Sequence, residues 1–563
     1  PESFRIAGPL DRGILKQSLT DILERHEVLR SYYRKTARGE YQVVMRAEEV
    51  INNAFRFEDV QQSIQDEDFQ QFRKKASVIL SPASLMRVFS GNFEPPEDTR
   101  RVLAESEAAR LVDLEENTPF RLFKDPPVRF LLIQLVEDEF ILMMNIHHIA
   151  TDGWSSELLS FELWQLYGSY ARGRKPTLPK VKLQYIDYAY WQRYWLDTRG
   201  QIEVELDWWK SELQGCDTVL NFPTDKRRPA VQQYSGATIV RKLPLPTAQR
   251  LQELSKRWKT TMFTIVLGVY AIVLSRYCRM EDVIVGIPES GRERGEMHGT
   301  VGYFVNMLPV RLSPRAFHGS ALQEYIQAVR KQLSNAMNHS NAPLQKIVEA
   351  LDQPHDPSRT PLFQTLFAFE DAGNDAVDKP EAFSGLEIKA YAPSSTNGTM
   401  SNAKVSKTDI EMAVSFSQDG LMFELLYAES LFRAESMELL LQHYMQTLQN
   451  MFQRPDIDVS QLQGMSKDEY ELVTNTWNAT TCQYPTSKCL HELVEEQAER
   501  TPDAVAVVMG SDRLTYAEMM VEVEKWSLTL KGCGVGPGSI VAILVDRSID
   551  MIIGLLAVLV AGG

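Results

Sequence analysis

The sequence predicts an α/β chain with more than one layered unit, and two strand and helix junctions carry that expectation. In the first, residues 128–136 (Val-Arg-Phe-Leu-Leu-Ile-Gln-Leu-Val) and 140–146 (Phe-Ile-Leu-Met-Met-Asn-Ile) flank an acidic turn, which reads as a buried β-hairpin. Helical spacing returns over residues 157–170. In the second, Leu251, Leu254, Trp258, Ile265, Val266, Val269 and Ile272 mark a helical pattern over 249–277, broken near Thr260 and Thr261, ahead of a strand at 282–288. At about 150 residues per domain, 563 residues amount to about three to four domain-equivalents. With 44% hydrophobic and 24% charged residues, such a chain fills a sizeable core, which excludes wholesale disorder.

Charge narrows the partners. Sixty Lys and Arg against 75 Asp and Glu leave a net charge of −15 and a pI near 5.3, so phosphate backbones and anionic lipid surfaces are repelled. Neither nucleic acid nor a membrane is the expected partner. Cys216, Cys278, Cys482, Cys489 and Cys533 form no CxxC pair and have no nearby His to complete a zinc site, so no metal is expected. Sparse free thiols fit a reducing cytoplasm. The opening residues show no secretory pattern, and the apolar run at 551–561 is shorter than the 17 to 25 residues of a usual membrane span, so it reads as a buried helix.

Reading along the chain, residues 4–8 resemble the end of a strand, with nothing before them to supply its partners. Residues 10–26 read as an amphipathic helix with Leu15, Leu19, Ile22 and Leu23 on one face. The charged stretch 58–116, interrupted by Asn-Phe-Glu-Pro-Pro-Glu-Asp at 92–98, reads as a surface insertion. Polar composition assigns residues 451–488 to a linker. Both ends of the chain read as cut, and no short repeat is present.

Titratable residues crowd the exit of the second hairpin strand, at residues 147–155 (His-His-Ile-Ala-Thr-Asp-Gly-Trp-Ser). Loops at strand ends present side chains while the sheet holds them rigid. A histidine there, His147 or His148, can take a proton from an amine or hydroxyl near neutral pH. Gly153 suits close backbone approach or a positive φ, and Asp152 suits pairing with a buried cation. From local pattern alone a plainer alternative stays open: the histidines end a strand, and Asp152 caps the helix beginning at Trp154.

The HHxxxDG pattern at 147–153 resembles the signature of condensation domains of nonribosomal peptide synthetases, relatives of chloramphenicol acetyltransferase. Further motifs of that family occur in order: residues 25–30 (Arg-His-Glu-Val-Leu-Arg), 185–191 (Tyr-Ile-Asp-Tyr-Ala-Tyr-Trp), 301–311 (Val-Gly-Tyr-Phe-Val-Asn-Met-Leu-Pro-Val-Arg), loosely 338–343, and 356–362 (Asp-Pro-Ser-Arg-Thr-Pro-Leu). The likeness covers residues 1 to about 450, with lobe one at about 1–175 and lobe two at about 176–450. The family's first motif is missing. Residues 489–563 are similar to the opening of an adenylation domain, whose ATP loop would lie beyond residue 563.

The resemblance implies two acetyltransferase-like lobes in a V with a tunnel between them. An acyl or peptidyl thioester on an upstream carrier protein would meet an aminoacyl thioester on a downstream carrier, both on phosphopantetheine, and an amide would form. No cofactor bound by the domain itself is implied. The rest of the adenylation domain would be a further partner. His148 is the residue the family ties to catalysis, as a base or by positioning the amine. Asp152 is implied to be architectural and paired with an arginine, for which Arg292 is the candidate. A solvated loop position is the alternative for Arg292.

The remaining site residues are expected to have supporting roles. Tyr303 and Asn306 are expected to bridge the lobes or line the tunnel. Arg25 and Arg30 are expected to pack at a helix end, and Trp154 to fill core beside the loop. Paired histidines argue against heterocyclization. Epimerization-type chemistry, or a free-standing acyltransferase using coenzyme A, is the alternative reading.

Overall fold

A computed structural model describes every residue except 38, 61–96, 199, 355, 372–384, 392–403 and 418–419. The chain forms two compact units, Pro1–Ser466 and Lys467–Gly563. Among the described residues the first unit holds two large sheets, each with its own core, and a two-stranded hairpin of Ser31–Thr36 with Gly39–Val44.

The smaller sheet runs in the order Glu387–Ala390, Glu2–Ala7, Glu139–Ile146, Val128–Val136, Phe55–Asp59. The hairpin is antiparallel, with Val128 opposite Ile146. Its side chains alternate between two buried faces, which explains why both strands are near-continuous apolar runs. Phe130, Leu132, Leu142 and Met144 pack under helices Arg12–Arg25, Ala47–Ala54 and Gly153–Ala171. Leu15, Leu19, Ile22 and Leu23 all turn to this core, and Asp11 caps their helix by accepting from Gly13 N and Ile14 N at 2.8 and 3.0 Å.

Two expectations are corrected on this sheet. The strand Glu2–Ala7 has partners on both sides, but they come from residues 139–144 and 387–390, far downstream. Lobe one therefore borrows a strand from the second half of the chain. The stretch 58–116 is also more than a surface insertion. Strand Phe55–Asp59 pairs in parallel with Val128–Val136, and helix Glu97–Asn117 buries Ala104, Ala108 and Val112 against Leu131, Ile133 and Met143. The breaker at 92–98 lies largely outside the described residues.

The larger sheet has seven strands, in the order Lys404–Val405, Ser235–Pro244, Gly420–Ala428, Ile410–Ser417, Thr365–Asp371, Val283–Glu289, Asn306–Leu312. Thr365–Asp371 is parallel to both neighbours, and the other pairings are antiparallel. Helices Leu245–Arg257, Met262–Cys278, Leu322–Asn338 and Ala434–Gln453 contribute to its core. Met262–Cys278 is apolar almost all round and correspondingly buried. Thr261 caps it through Thr264 N at 3.1 Å, so the break in the helical pattern is a turn between two helices.

Residues 451–466 belong to this core and not to a linker. Met451, Ile457, Val459 and Leu462 are buried, and Arg276 donates to the carbonyls of Val459, Ser460 and Leu462. Polar residues between widely spaced anchors gave this segment its linker-like composition.

The second unit carries helices Leu490–Arg500, Tyr516–Gly532 and Ile549–Ala561 and the hairpin Val505–Met509 with Asp512–Thr515. Thr515 and Glu518 form a capping box. Helix Ile549–Ala561 buries Ile553 and Ala557 but leaves Leu555 exposed, so the apolar run is buried on one side. Among the described residues no single helix is long and apolar enough to cross a membrane.

One close contact fixes the loop around residue 302. A Cβ on Gly302 would lie 2.1 Å from the ring of Tyr185, so the loop can pack on that ring only without a side chain. Gly302→Ala is expected to destabilise the unit by about 1–3 kcal/mol through overpacking. Gly295→Ala, where a Cβ meets nothing within 4 Å, should stay within about ±0.5 kcal/mol. Thermal unfolding of the two variants side by side checks both.

Candidate functional site

The loop between strand Glu139–Ile146 and helix Gly153–Ala171 is pinned at both ends. His147 N extends the sheet by donating to Pro127 O at 2.8 Å, and Ala150 N donates back to His147 O at 2.9 Å. At the far end Asp152 is the N-cap, its Oδ1 accepting from Ser155 N at 2.8 Å.

Within this frame the two imidazoles take different tautomers. His148 Nδ1 lies 3.1 Å from Thr151 O. A carbonyl can only accept, so Nδ1 carries the proton, and Nε2 of the neutral ring keeps its lone pair. His147 Nδ1 accepts from Ile149 N at 3.0 Å, which places its proton on Nε2. Burial, then the proximity of His148, lower the His147 pKa and favour its neutral form. His147 stands edge-on to Phe120, with centroids 5.6 Å apart, while His148 is the more exposed of the two.

Asp152 caps the helix and also pairs with a buried cation, so the two sequence readings of this residue hold together. Its Oδ1 and Oδ2 accept from Arg292 Nη2 at 3.2 and 3.3 Å, and Oδ2 accepts from Phe304 N at 3.0 Å. Arg292 Nη1 donates to Met297 O and Thr300 O, both at 2.7 Å, and Nη2 to Ser155 Oγ at 2.7 Å. The two side chains are 1% and 2% exposed, so Arg292 is no solvated loop residue. Burial lowers the arginine's pKa, and Asp152 opposes that shift. Ser155 Oγ completes the network by donating to Gly302 O at 2.9 Å and accepting from Gly302 N at 3.1 Å. The guanidinium also lies 4.0 Å from the Phe304 ring centroid.

Above this network opens a cavity of about 760 Å³ lined by His147, His148 and Gly153 from the small-sheet side. Its opposite wall is the free face of the larger sheet, where Leu366, Ala368, Glu411, Ala413, Glu424 and Leu426 alternate with the core residues Phe367, Met412, Val414, Phe423 and Leu425. Tyr303, Val305, Met307 and Leu344 line both this cavity and a smaller one of about 330 Å³, which also touches Tyr188, Trp191 and Asn306.

Several supporting residues are placed differently from expectation. Gly153 has no positive φ, and a Cβ there would meet nothing within 4 Å, so its absent side chain leaves cavity space. Trp154 is 45% exposed and does not fill core; its indole N–H reaches His298 O at 2.9 Å, because the first turn of the helix faces the 292–302 loop. Asn306 does not bridge the lobes. Its Nδ2 donates to Ser340 O and Ala342 O, each at 2.7 Å, tying the 340–344 segment to its own lobe. Tyr303 lines the cavities, and its carbonyl accepts from Tyr185 Oη at 2.7 Å.

Arg25 donates to Glu162 from Nε and Nη2 at 3.0 and 2.6 Å, and Glu162 also meets His26 Nε2 at 2.8 Å. Arg30 donates to Leu23 O and Met45 O at 2.8 and 2.5 Å. Both arginines hold backbone and helix away from the cavity. Ser155, Phe304 and Tyr185 were not singled out by the sequence reading, although each lies inside a motif it quoted. Among the described residues no group of three or more His, Cys, Asp or Glu could hold a metal ion.

Comparison with known proteins agrees with this architecture. Residues 92–474 match the sequence model of the condensation domain, and residues 494–563 that of AMP-binding enzymes. Linear gramicidin synthase subunits C and D of Brevibacillus parabrevis are 31% and 32% identical over 100% of this chain, which covers 7% and 10% of their own lengths. Malpinin synthetase of Mortierella alpina is 30% identical over 100% of this chain and 6% of its own length. The chain thus spans about a tenth or less of these relatives. Among solved structures, a four-domain nonribosomal peptide synthetase bound to AMP and glycine superposes with a TM-score of 0.73 at 20% identity, covering 100% of this chain and 39% of that one. The X-domain from teicoplanin biosynthesis, solved with OxyB, gives 0.65 at 23% identity, covering 83% and 91%. The chain belongs to the condensation domain family of nonribosomal peptide synthetases and continues into the start of an AMP-binding enzyme domain.

Proposed function

We propose that the unit Pro1–Ser466 joins an upstream carrier-bound acyl or peptidyl thioester to the amine of a downstream carrier-bound aminoacyl thioester. Residues 467–488 would connect it to the AMP-binding segment, whose remainder would be a partner in the same synthetase. The observation that supports this reading best is His148, whose Nδ1 is held by Thr151 O at the rim of a cavity of about 760 Å³. Nε2 is left to accept a proton from the attacking amine. Phosphopantetheine enters this scheme as the arm that carries each substrate. The five free cysteines fit a reducing compartment, and action in the cytoplasm is part of the reading.

Two effects contribute to the rate. General-base help supplies about 10²–10⁴-fold, whereas holding two tethered reactants in line supplies about 7–11 kcal/mol. Positioning is the stronger effect, and it depends on the loop that Asp152 and Arg292 fix. This is the reason a two-walled cavity suits the reaction: each carrier arm delivers its reacting atom to one place.

The direct test incubates the chain with loaded upstream and downstream carriers and seeks the dipeptidyl product by mass spectrometry. Transfer to a soluble amine without carrier dependence overturns the reading. His148→Ala should lower turnover by about 10²–10⁴-fold yet leave detectable product, since positioning survives. Asp152→Ala strands a buried guanidinium and should cost about 3–5 kcal/mol, so soluble yield and thermal midpoint fall along with activity; a stable, inactive variant contradicts the structural role. Gly153→Val should fold with a change within about ±0.5 kcal/mol and raise KM by intruding on the cavity, read from steady-state kinetics.

A further inference from the structure

The cavity wall beside His148 carries a second polar group suited to the chemistry. Tyr303 meets the His148 ring edge to face, with centroids 6.2 Å apart and planes at 73°. Its backbone is fixed from both sides. Its carbonyl accepts from Tyr185 Oη at 2.7 Å, and the next amide, Phe304 N, donates to Asp152 Oδ2 at 3.0 Å. The residue is thus held by the same carboxylate that caps the helix after the histidine loop.

Among the described residues the phenol itself is uncommitted. No hydrogen bond to the Tyr303 hydroxyl occurs among the described residues, and the side chain is 41% exposed where it lines the two cavities. The cavity's threonine hydroxyls are engaged elsewhere, Thr360 with Lys407 O and Thr408 with Ile410 O, each at 3.0 Å. Asp152, Glu411 and Glu424 can only accept when ionised. Burial, and then the Asp152 carboxylate, raise the Tyr303 pKa, so the hydroxyl keeps its proton through the neutral range.

We propose that Tyr303 is a further catalytic residue of the amide-forming reaction, donating its O–H to the thioester carbonyl oxygen and to the oxyanion that develops there. The inference rests on the function proposed above. As the amine nitrogen bonds to the carbonyl carbon, the carbonyl π pair moves onto the oxygen held by Tyr303. The proton released from nitrogen passes to His148 Nε2. The pair then returns, the C–S bond breaks, and the departing thiolate takes its electron pair and the proton from His148. Nothing is oxidised or reduced, and the phenol keeps its proton throughout. One residue thus handles the proton while its ring neighbour, a preorganised donor, stabilises the oxygen where charge develops.

Tyr303→Phe in the full 563-residue chain removes the hydroxyl and retains the ring against His148. With both carriers loaded, kcat should fall by about 10²–10³-fold, the usual effect of deleting one oxyanion donor. KM for each carrier, the pH dependence and the thermal midpoint should match the unmodified chain. A kcat within about threefold of the unmodified chain overturns the proposal and leaves the condensing activity standing. A fall accompanied by a displaced pH profile also overturns it, because the phenol would then act only by tuning His148. No product from the unmodified chain overturns the amide-forming reading and this inference with it.

Discussion

The structure of the site depends on one buried ion pair. Asp152 and Arg292 lie 140 positions apart, are almost wholly excluded from solvent, and come from the two halves of the first unit. Two charges taken from water in this way are stable only if their remaining hydrogen-bonding capacity is met. Here most of it is. The carboxylate accepts two backbone N–H groups besides the guanidinium, and the guanidinium donates to two carbonyls and a hydroxyl besides the carboxylate. Only Arg292 Nε is buried without a partner among the atoms of this pair, and it belongs to a group stacked on the Phe304 ring.

The geometry of this pair explains why the histidine loop and the segment carrying Tyr303 keep register. Oδ1 holds the first turn of helix Gly153–Ala171, which fixes the loop carrying His148. Oδ2 holds Phe304 N, which fixes the segment carrying Tyr303. Two close packings reinforce the second attachment: a Cβ at Gly291 would sit 2.2 Å from Phe304 O, and one at Gly302 would sit 2.1 Å from the Tyr185 ring. The 289–306 segment is therefore tied down along its length, and a small displacement of Asp152 would move the His148 loop and the Tyr303 segment together. The interaction is architectural, and its consequence is the relative placement of His148 and Tyr303.

What the sequence disclosed follows the range of the forces involved. Periodic burial is local, so the face made by Leu15, Leu19, Ile22 and Leu23 and the hairpin of 128–146 were legible residue by residue. The polar crowding at 147–153 was legible too, because it follows directly on an apolar strand. Pairings across hundreds of residues were not. The partners of Glu2–Ala7 lie at 139–144 and 387–390, and no local pattern near residue 4 points to them. Helix Glu97–Asn117 buries alanines, whose small apolar surface is masked by the many charges around them, so it read as surface. Trp154 read as core because of its size, whereas its place at the first helical turn sets it at the rim with its N–H on His298 O. Asn306 read as a bridge between lobes or a tunnel-lining residue; it lines the smaller cavity, and its amide engages two carbonyls of its own lobe with both N–H groups.

The larger sheet shows how stability and selectivity can be separated within one element. Along Ile410–Ser417 and Gly420–Ala428, successive side chains point to opposite faces. Met412, Val414, Phe423 and Leu425 enter a continuous core, while Glu411, Ala413, Glu424 and Leu426 face the cavity. The register places Glu411 opposite Leu426 and Ala413 opposite Glu424, so acidic, small and branched groups alternate across the same face. Glu411 Oε1 also accepts from Thr408 N at 3.2 Å, and burial raises its pKa. Substitution on one face changes what the cavity can contain, while substitution on the other changes whether the sheet persists. Because the period is two, these effects fall on different residues of the same strand, and the contents of the cavity can vary while the Asp152–Arg292 anchorage stays unchanged.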